Sequence, residues 1–116
     1  MNETIKMKDV KIVETGSVIN GYLIFGTEIK TPKQIFLTEN FNRKDIIGRV
    51  DNFRINKDEV RCDITIDKDI KVKIDEGTAE FAVGGLCMKV EKNQDGIINM
   101  KKFELTDIAV VIKGVE

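Results

Sequence analysis

Histidine and tryptophan are absent from the 116 residues, and there is one proline. The missing histidine removes the commonest general base and the commonest metal ligand together. With only Cys62 and Cys87, and no Cys-x-x-Cys pair, zinc and other transition-metal sites lack their ligands. No apolar run approaches the length a membrane-spanning helix requires. The opening MNETIKMKDVKIVET alternates charge with isolated apolar residues and has no signal-peptide core, so a chain that stays in a reducing cytoplasm is expected. There Cys62 and Cys87 read as free buried thiols rather than a disulfide, and the sequon at Asn2–Glu3–Thr4 has no use. A dominant charge is missing too. Lys and Arg number 19 and Asp and Glu 20, for a net charge of -1, which gives no electrostatic pull towards nucleic acid or an anionic membrane.

What is present points to one β-rich domain over 1–116. Isoleucine occurs 17 times and valine 11 against four leucines, and β-branched residues suit a pleated, half-buried surface better than a helix interior. Val10 and Ile12 alternate with lysines within an N-terminal strand or arm, 1–16. Residues 17–26 are an apolar run interrupted by Gly21, and 34–38 form a short strand after Pro32. In 47–66, strict alternation at Val60, Cys62, Ile64 and Ile66 and a turn at Asn56–Glu59 predict an antiparallel hairpin. Val50 falls out of phase with Phe53 and Ile55, which places a bulge near Asp51.

The stretch 81–90, FAVGGLCMKV, is apolar on both faces and reads as a covered central strand, with Gly84 and Gly85 where another backbone packs closely. A turn at Lys92–Gly96 then leads to strands at 97–105 and 108–112. Helix is limited to a short turn within 67–77, ending at Gly77. Strands so many and so short predict a small antiparallel β-barrel with at most one or two short helices. Its core is expected from the isoleucines and Phe25, Phe36, Phe53, Phe81 and Phe103.

Candidate chemistry is sparse. Asp67-Lys68-Asp69 starts like a calcium loop, but Lys71 and Val72 stand where a third ligand and a glycine are needed. Gly84-Gly85 matches no phosphate-binding loop. No metal and no cofactor are expected. Cys87 or Thr78 as a nucleophile would need a base that histidine cannot supply, whereas Glu104 and Asp107 form a carboxylate pair that could lie close together. Arg43-Lys44 beside Phe41, and Lys101-Lys102 beside Phe103, are the only basic pairs near aromatics, a weak signal for nucleic acid.

Four stretches in order resemble the phage prohead (capsid maturation) protease family, which has the herpesvirus-assemblin type of fold. Residues 20–26, NGYLIFG, are similar to its opening strand; 37–42, LTENFN, followed by IGRV at 47–50, resemble its L-x-x-N-H-D…I-G-R-V segment. GTAEFAVG at 77–84 resembles the approach to F-S-V-G, and FELTDIAVV at 103–111 resembles the closing E-L-x-E-V-S-L-V. The resemblance covers about 17–113 and implies a protease-like barrel there.

The resemblance also implies where chemistry is lost. The family's general-base histidine falls on Phe41 and its nucleophilic serine on Ala82, with the closing serine replaced by Ala109 and acids kept at Glu104 and Asp107. Neither Phe41 nor Ala82 can accept a proton or attack a carbonyl, so the acyl-enzyme route is closed. The region before Gly77 is also shorter than the family's helix-containing stretch. The expectation is a catalytically inactive structural or assembly protein of a phage particle, found in the virion or in host cytoplasm during assembly. It would contact capsid, portal or scaffold proteins and could form a homo-oligomer. Phe41, Ala82, Gly84 and Gly85 would line the former active-site groove as a partner site. The alternatives are a hydrolase with a non-standard nucleophile and a small nucleic-acid- or ligand-binding barrel.

Overall fold

The computed structural model describes residues 3–113; Met1, Asn2 (and with it the start of the sequon) and 114–116 lie outside the described residues. In chain order the elements are β1 (Thr4–Val13), β2 (Val18–Ile19), β3 (Tyr22–Lys30), β4 (Gln34–Glu39), β5 (Asn42–Asn56), β6 (Glu59–Asp67), α1 (Lys68–Asp75), β7 (Ala79–Lys92) and β8 (Ile98–Ile112). The protein is mainly β.

The helix is set by local chemistry. The Asp67 carboxylate caps it by accepting from the Asp69 N–H at 2.9 Å, and Gly77 ends it at φ +80°. Ile70 is its buried residue. The 47–66 hairpin forms as expected, and its irregularity falls between Asp51 and Arg54, where Asn52 adopts φ +54°.

Strands follow the order β1-β6-β5-β4-β8-β3-β2, with β7 on the second edge of β8. The sheet departs from the expected antiparallel barrel in two ways. First, it is mixed, since β3 and β4 both run parallel to β8. Parallel neighbours need a long crossover, and the stretch from β5 to β7 supplies it. Second, the sheet stays open, because among the described residues no ladder joins β1 to β7. A gap lined by Ile12, Val13, Val18, Ile19, Phe81 and Val83 separates them. Gly16 (φ +91°) turns the chain away after β1, and the segment pairs with β3 instead: the Gly16 N–H donates to Ile24 O, and the Ile24 N–H to Ser17 O.

The core lies on the inner face of this curled sheet, with Phe103, Leu105, Ile108 and Val110 of β8, Ile35 and Leu37 of β4, and Ile64 and Ile66 of β6. Of the five phenylalanines expected there, Phe103 is fully buried, while Phe53 and Phe81 are half-buried at its margin. Phe25 and Phe36 are each 60% exposed. Strand alternation decides this: Ile35 and Leu37 point inward, so Phe36 points out.

β7 is likewise no covered central strand. Its ladder is with β8 alone, and residues 86–92 are exposed. Close backbone packing does occur at Gly85, where an added Cβ would stand 2.1 Å from Glu104 O and 2.8 Å from Phe103 Cζ. The two strands expected at 97–105 and 108–112 are one continuous β8. Cys62 is buried and free as expected, and burial pushes its thiol up to about 12. Cys87, expected to be buried, is exposed on the outlying half of β7.

Candidate functional site

β8 changes neighbours midway, and the site arises there. On one edge its ladder runs with β3 up to Lys30↔Glu104 and resumes with β4 at Leu37↔Ile108. Pro32 lies in the break between β3 and β4 and suits it, having no N–H to give a ladder. Leu105, Thr106 and Asp107 are therefore unpaired on that side. On the other edge the register steps from Gly84↔Asp107 to Gly85↔Leu105, leaving Thr106 without a counterpart there as well.

A cleft of about 510 Å³ opens over this interruption. Thr31, Pro32, Phe36 and Ile46 supply its apolar surface, with Lys30 and Arg43 as cations and Glu104, Thr106 and Asp107 from β8. Phe36 and Ile46 are 60% and 54% exposed, so the cleft is an open trough rather than a sealed cavity. The Thr106 hydroxyl donates to Asp107 Oδ2 at 2.8 Å.

Phe41 stands beside this trough. The β4–β5 turn places Asn40 at φ +51° and Phe41 at φ +61°, left-handed conformations that a bulky side chain disfavours. The turn is held against β8 from both sides: the Asn40 N–H donates to Val110 O at 2.9 Å, and Asn40 Oδ1 accepts from the Ile112 N–H at 3.1 Å. So pinned, the Phe41 ring lies over Gly84, its Cε1 3.5 Å from where a Cβ would stand, with Asp107 Cβ 3.7 Å from the same point. A methyl group at 84 would therefore sit in ordinary van der Waals contact with the ring.

The sequence-derived site residues separate accordingly. Phe41, Gly84 and Asp107 come together on the outer face. Ala82 lies two positions along the same face of β7, opposite Ala109, which is itself opposite Thr38. Glu104 and Asp107 line the same cleft, with Glu104 opposite Leu86 across the ladder. Gly85 faces inward and takes no part in the groove. Phe41 fills no vacated core position; it is 42% exposed and covers the groove from outside.

Other candidates lie elsewhere. The Thr78 hydroxyl is bound to the Lys73 carbonyl at 3.1 Å, at the end of α1. Of the basic pairs, Arg43 reaches the cleft, Lys102 pairs with Glu28 at 3.4 Å, and Phe103 is buried, so it offers no face for a base to stack on. Among the described residues no His, Cys, Asp and Glu cluster could hold a metal ion. Phe36 and Ile46 were not anticipated as site residues, and Arg43 was singled out only as half of a basic pair beside Phe41. Alternation in Gln34–Thr38 carried a signal for Phe36, because two buried aliphatics at 35 and 37 force the residue between them outward.

A separate polar network joins β1, β5 and β6. Asp63 accepts from the Asn52 side chain at 2.9 Å, from the Asp9 N–H at 3.0 Å and from Arg54 at 3.3 Å. These donors, Asn52 foremost, hold its carboxyl down at about 2. Arg54 and Arg61 both also reach the Asp9 carboxylate. Asp58 is held below the usual carboxylate range by the Thr15 hydroxyl and then by the Gly26 N–H. Both clusters bind strands to one another away from the cleft, and their role is architectural.

No family model, curated protein or solved structure matches this chain.

Proposed function

We propose that this chain is a non-catalytic, prohead-protease-like structural or assembly protein of a phage particle, acting through protein–protein contacts on the outer face of β4, β8 and β7. The observation that carries the reading is the exposed apolar lining of the cleft, Phe36 and Ile46, beside the pinned ring of Phe41. Apolar side chains grouped around an open trough favour an extended segment of another protein. The interrupted edge of β8 at Leu105–Asp107 adds main-chain groups that such a segment could meet. At the positions where the resembled family carries histidine and serine, Phe41 and Ala82 supply a surface and no proton acceptor or nucleophile.

The resemblance implies the partner class, capsid, portal or scaffold proteins. Quantitative mass spectrometry of purified immature and mature particles tests this. Intact chain at a fixed ratio to the major capsid protein supports a particle component, and presence in immature particles alone supports an assembly factor. Absence from both overturns the reading. Cleavage of a capsid or scaffold protein by the purified chain, lost in Cys87→Ala or Thr78→Ala, would replace it with a hydrolase.

A further inference from the structure

The outlying half of β7 carries a second surface, independent of the cleft. Near its start β7 is flanked by the 12–20 segment across a gap, but from Gly84 onward its outer edge meets no strand among the described residues. There Leu86, Met88 and Val90 are 59%, 56% and 46% exposed. The molecule measures 50 × 33 × 24 Å with a radius of gyration of 14.7 Å, more extended than the ~13 Å usual for a compact chain of this length. An edge with free backbone groups and apolar side chains is a template for another strand.

Its charges indicate which strand. Lys89 stands directly opposite Lys102 in its own sheet, a repulsive placement, and Lys102 is already paired with Glu28. Neither Lys89 nor Glu91 has an ion-pair partner among the described residues. A lone lysine guards an edge by repulsion, but a glutamate two positions on makes the edge complementary to itself. The ladder with β8 shifts register at Cys87/Lys89 and again at Lys89/Val90; beyond that, Val90, Glu91 and Lys92 pair in step with Met100, Asn99 and Ile98.

We propose that the free edge of β7 pairs with that of a second copy of this chain, antiparallel, about a two-fold axis at Val90. Lys89 of each copy then faces Glu91 of the other. Met88 faces Lys92 of the second copy, whose methylene stem covers it. The like charge of Lys102 is offset at Lys89 by the incoming carboxylate.

Sedimentation of the full chain over a range of concentrations reads the association. The wild type is expected to dimerise. Lys89→Glu alone and Glu91→Lys alone each weaken the dimer about tenfold or more, and the double exchange restores it, because it rebuilds both pairs with reversed sign. In a Cys87→Ser background, Val90→Cys is expected to form an intermolecular disulfide on mild oxidation, since the axis sets residue 90 against itself. All substituted residues are exposed, and circular dichroism confirms that each variant folds. A monomer at every concentration overturns the proposal. So does a dimer indifferent to single reversals, a double exchange that fails to restore association, a Val90→Cys chain that does not cross-link, or occupation of this edge by an unrelated protein segment.

Discussion

Phe103 and Phe36 lie on hydrogen-bonded neighbours, β8 and β4, yet the first is 1% exposed and the second 60%. They occupy opposite faces of one sheet. The inner face closes over β-branched residues from β4, β5, β6 and β8, whereas the outer face leaves Phe36, Phe41 and Ile46 in solvent. Burying a phenylalanine contributes about 1.5–3 kcal/mol, so Phe36 forgoes most of a gain that Phe103 obtains. The difference teaches that the two faces of one sheet sort its aromatics, Phe103 holding the fold and Phe36 lining the open cleft.

The largest expected effect lies on the inner face. Phe103→Ala should cost about 3–5 kcal/mol in urea unfolding, since it empties the largest fully buried side-chain position; a loss below ~1 kcal/mol would break the comparison at its root. The half-buried Phe81, which the sequence alone placed in the core, should lose less than Phe103 when cut to alanine.

The paired glycines sharpen the comparison, because they face opposite ways. Gly85→Ala drives a Cβ against the Glu104 carbonyl and Phe103, with an expected cost of about 2–3 kcal/mol. Gly84→Ala meets only the Phe41 ring and Asp107, at ordinary contact distance, and should cost much less. Equal losses would contradict the assignment of faces.

Acid unfolding comes next. The Asp63 carboxyl sits at about 2 in the folded protein against 3.8 ordinarily. It therefore contributes stability in full above about 3.8, and that contribution is lost as pH falls from there towards 2. Asn52→Gly keeps the positive φ while removing the foremost donor, so carboxyl titration followed by NMR should show Asp63 rising and acid unfolding starting at higher pH. An unmoved Asp63 would show that the network does not hold it.

The smallest stability effect belongs to the outer face. Phe36→Ser should change stability by less than ~0.5 kcal/mol while abolishing partner binding. A large destabilisation would mean that the outer face is structural.

Much of the fold was legible where period and turn chemistry agree. The 47–66 hairpin and its bulge followed from Val60–Ile66 alternation and the phase error at Val50. The helix followed from Gly77. The continuity of β8 was hidden by Thr106, whose bulge interrupts the alternation and mimics a turn. The parallel pairings of β3 and β4 with β8 were invisible because they join segments far apart in the chain, with no local signal. For the site, the resemblance grouped Phe41, Ala82, Gly84 and Gly85 in one groove; the Phe41 ring does lie over Gly84, but Gly85 faces inward against Phe103. Counting Phe36 as core by residue type concealed the trough, although its neighbours Ile35 and Leu37 marked it as outward-facing.

The central claim, that the outer face is occupied by another protein, is tested most directly by a photoreactive phenylalanine analogue in place of Phe36. The control carries the same analogue at Val72, which is exposed on α1, far in sequence from the cleft-lining residues. Irradiated during particle assembly, the Phe36 chain should cross-link to a capsid, portal or scaffold protein and the Val72 chain should not. Equal cross-linking at both positions, or none at Phe36, would contradict the account.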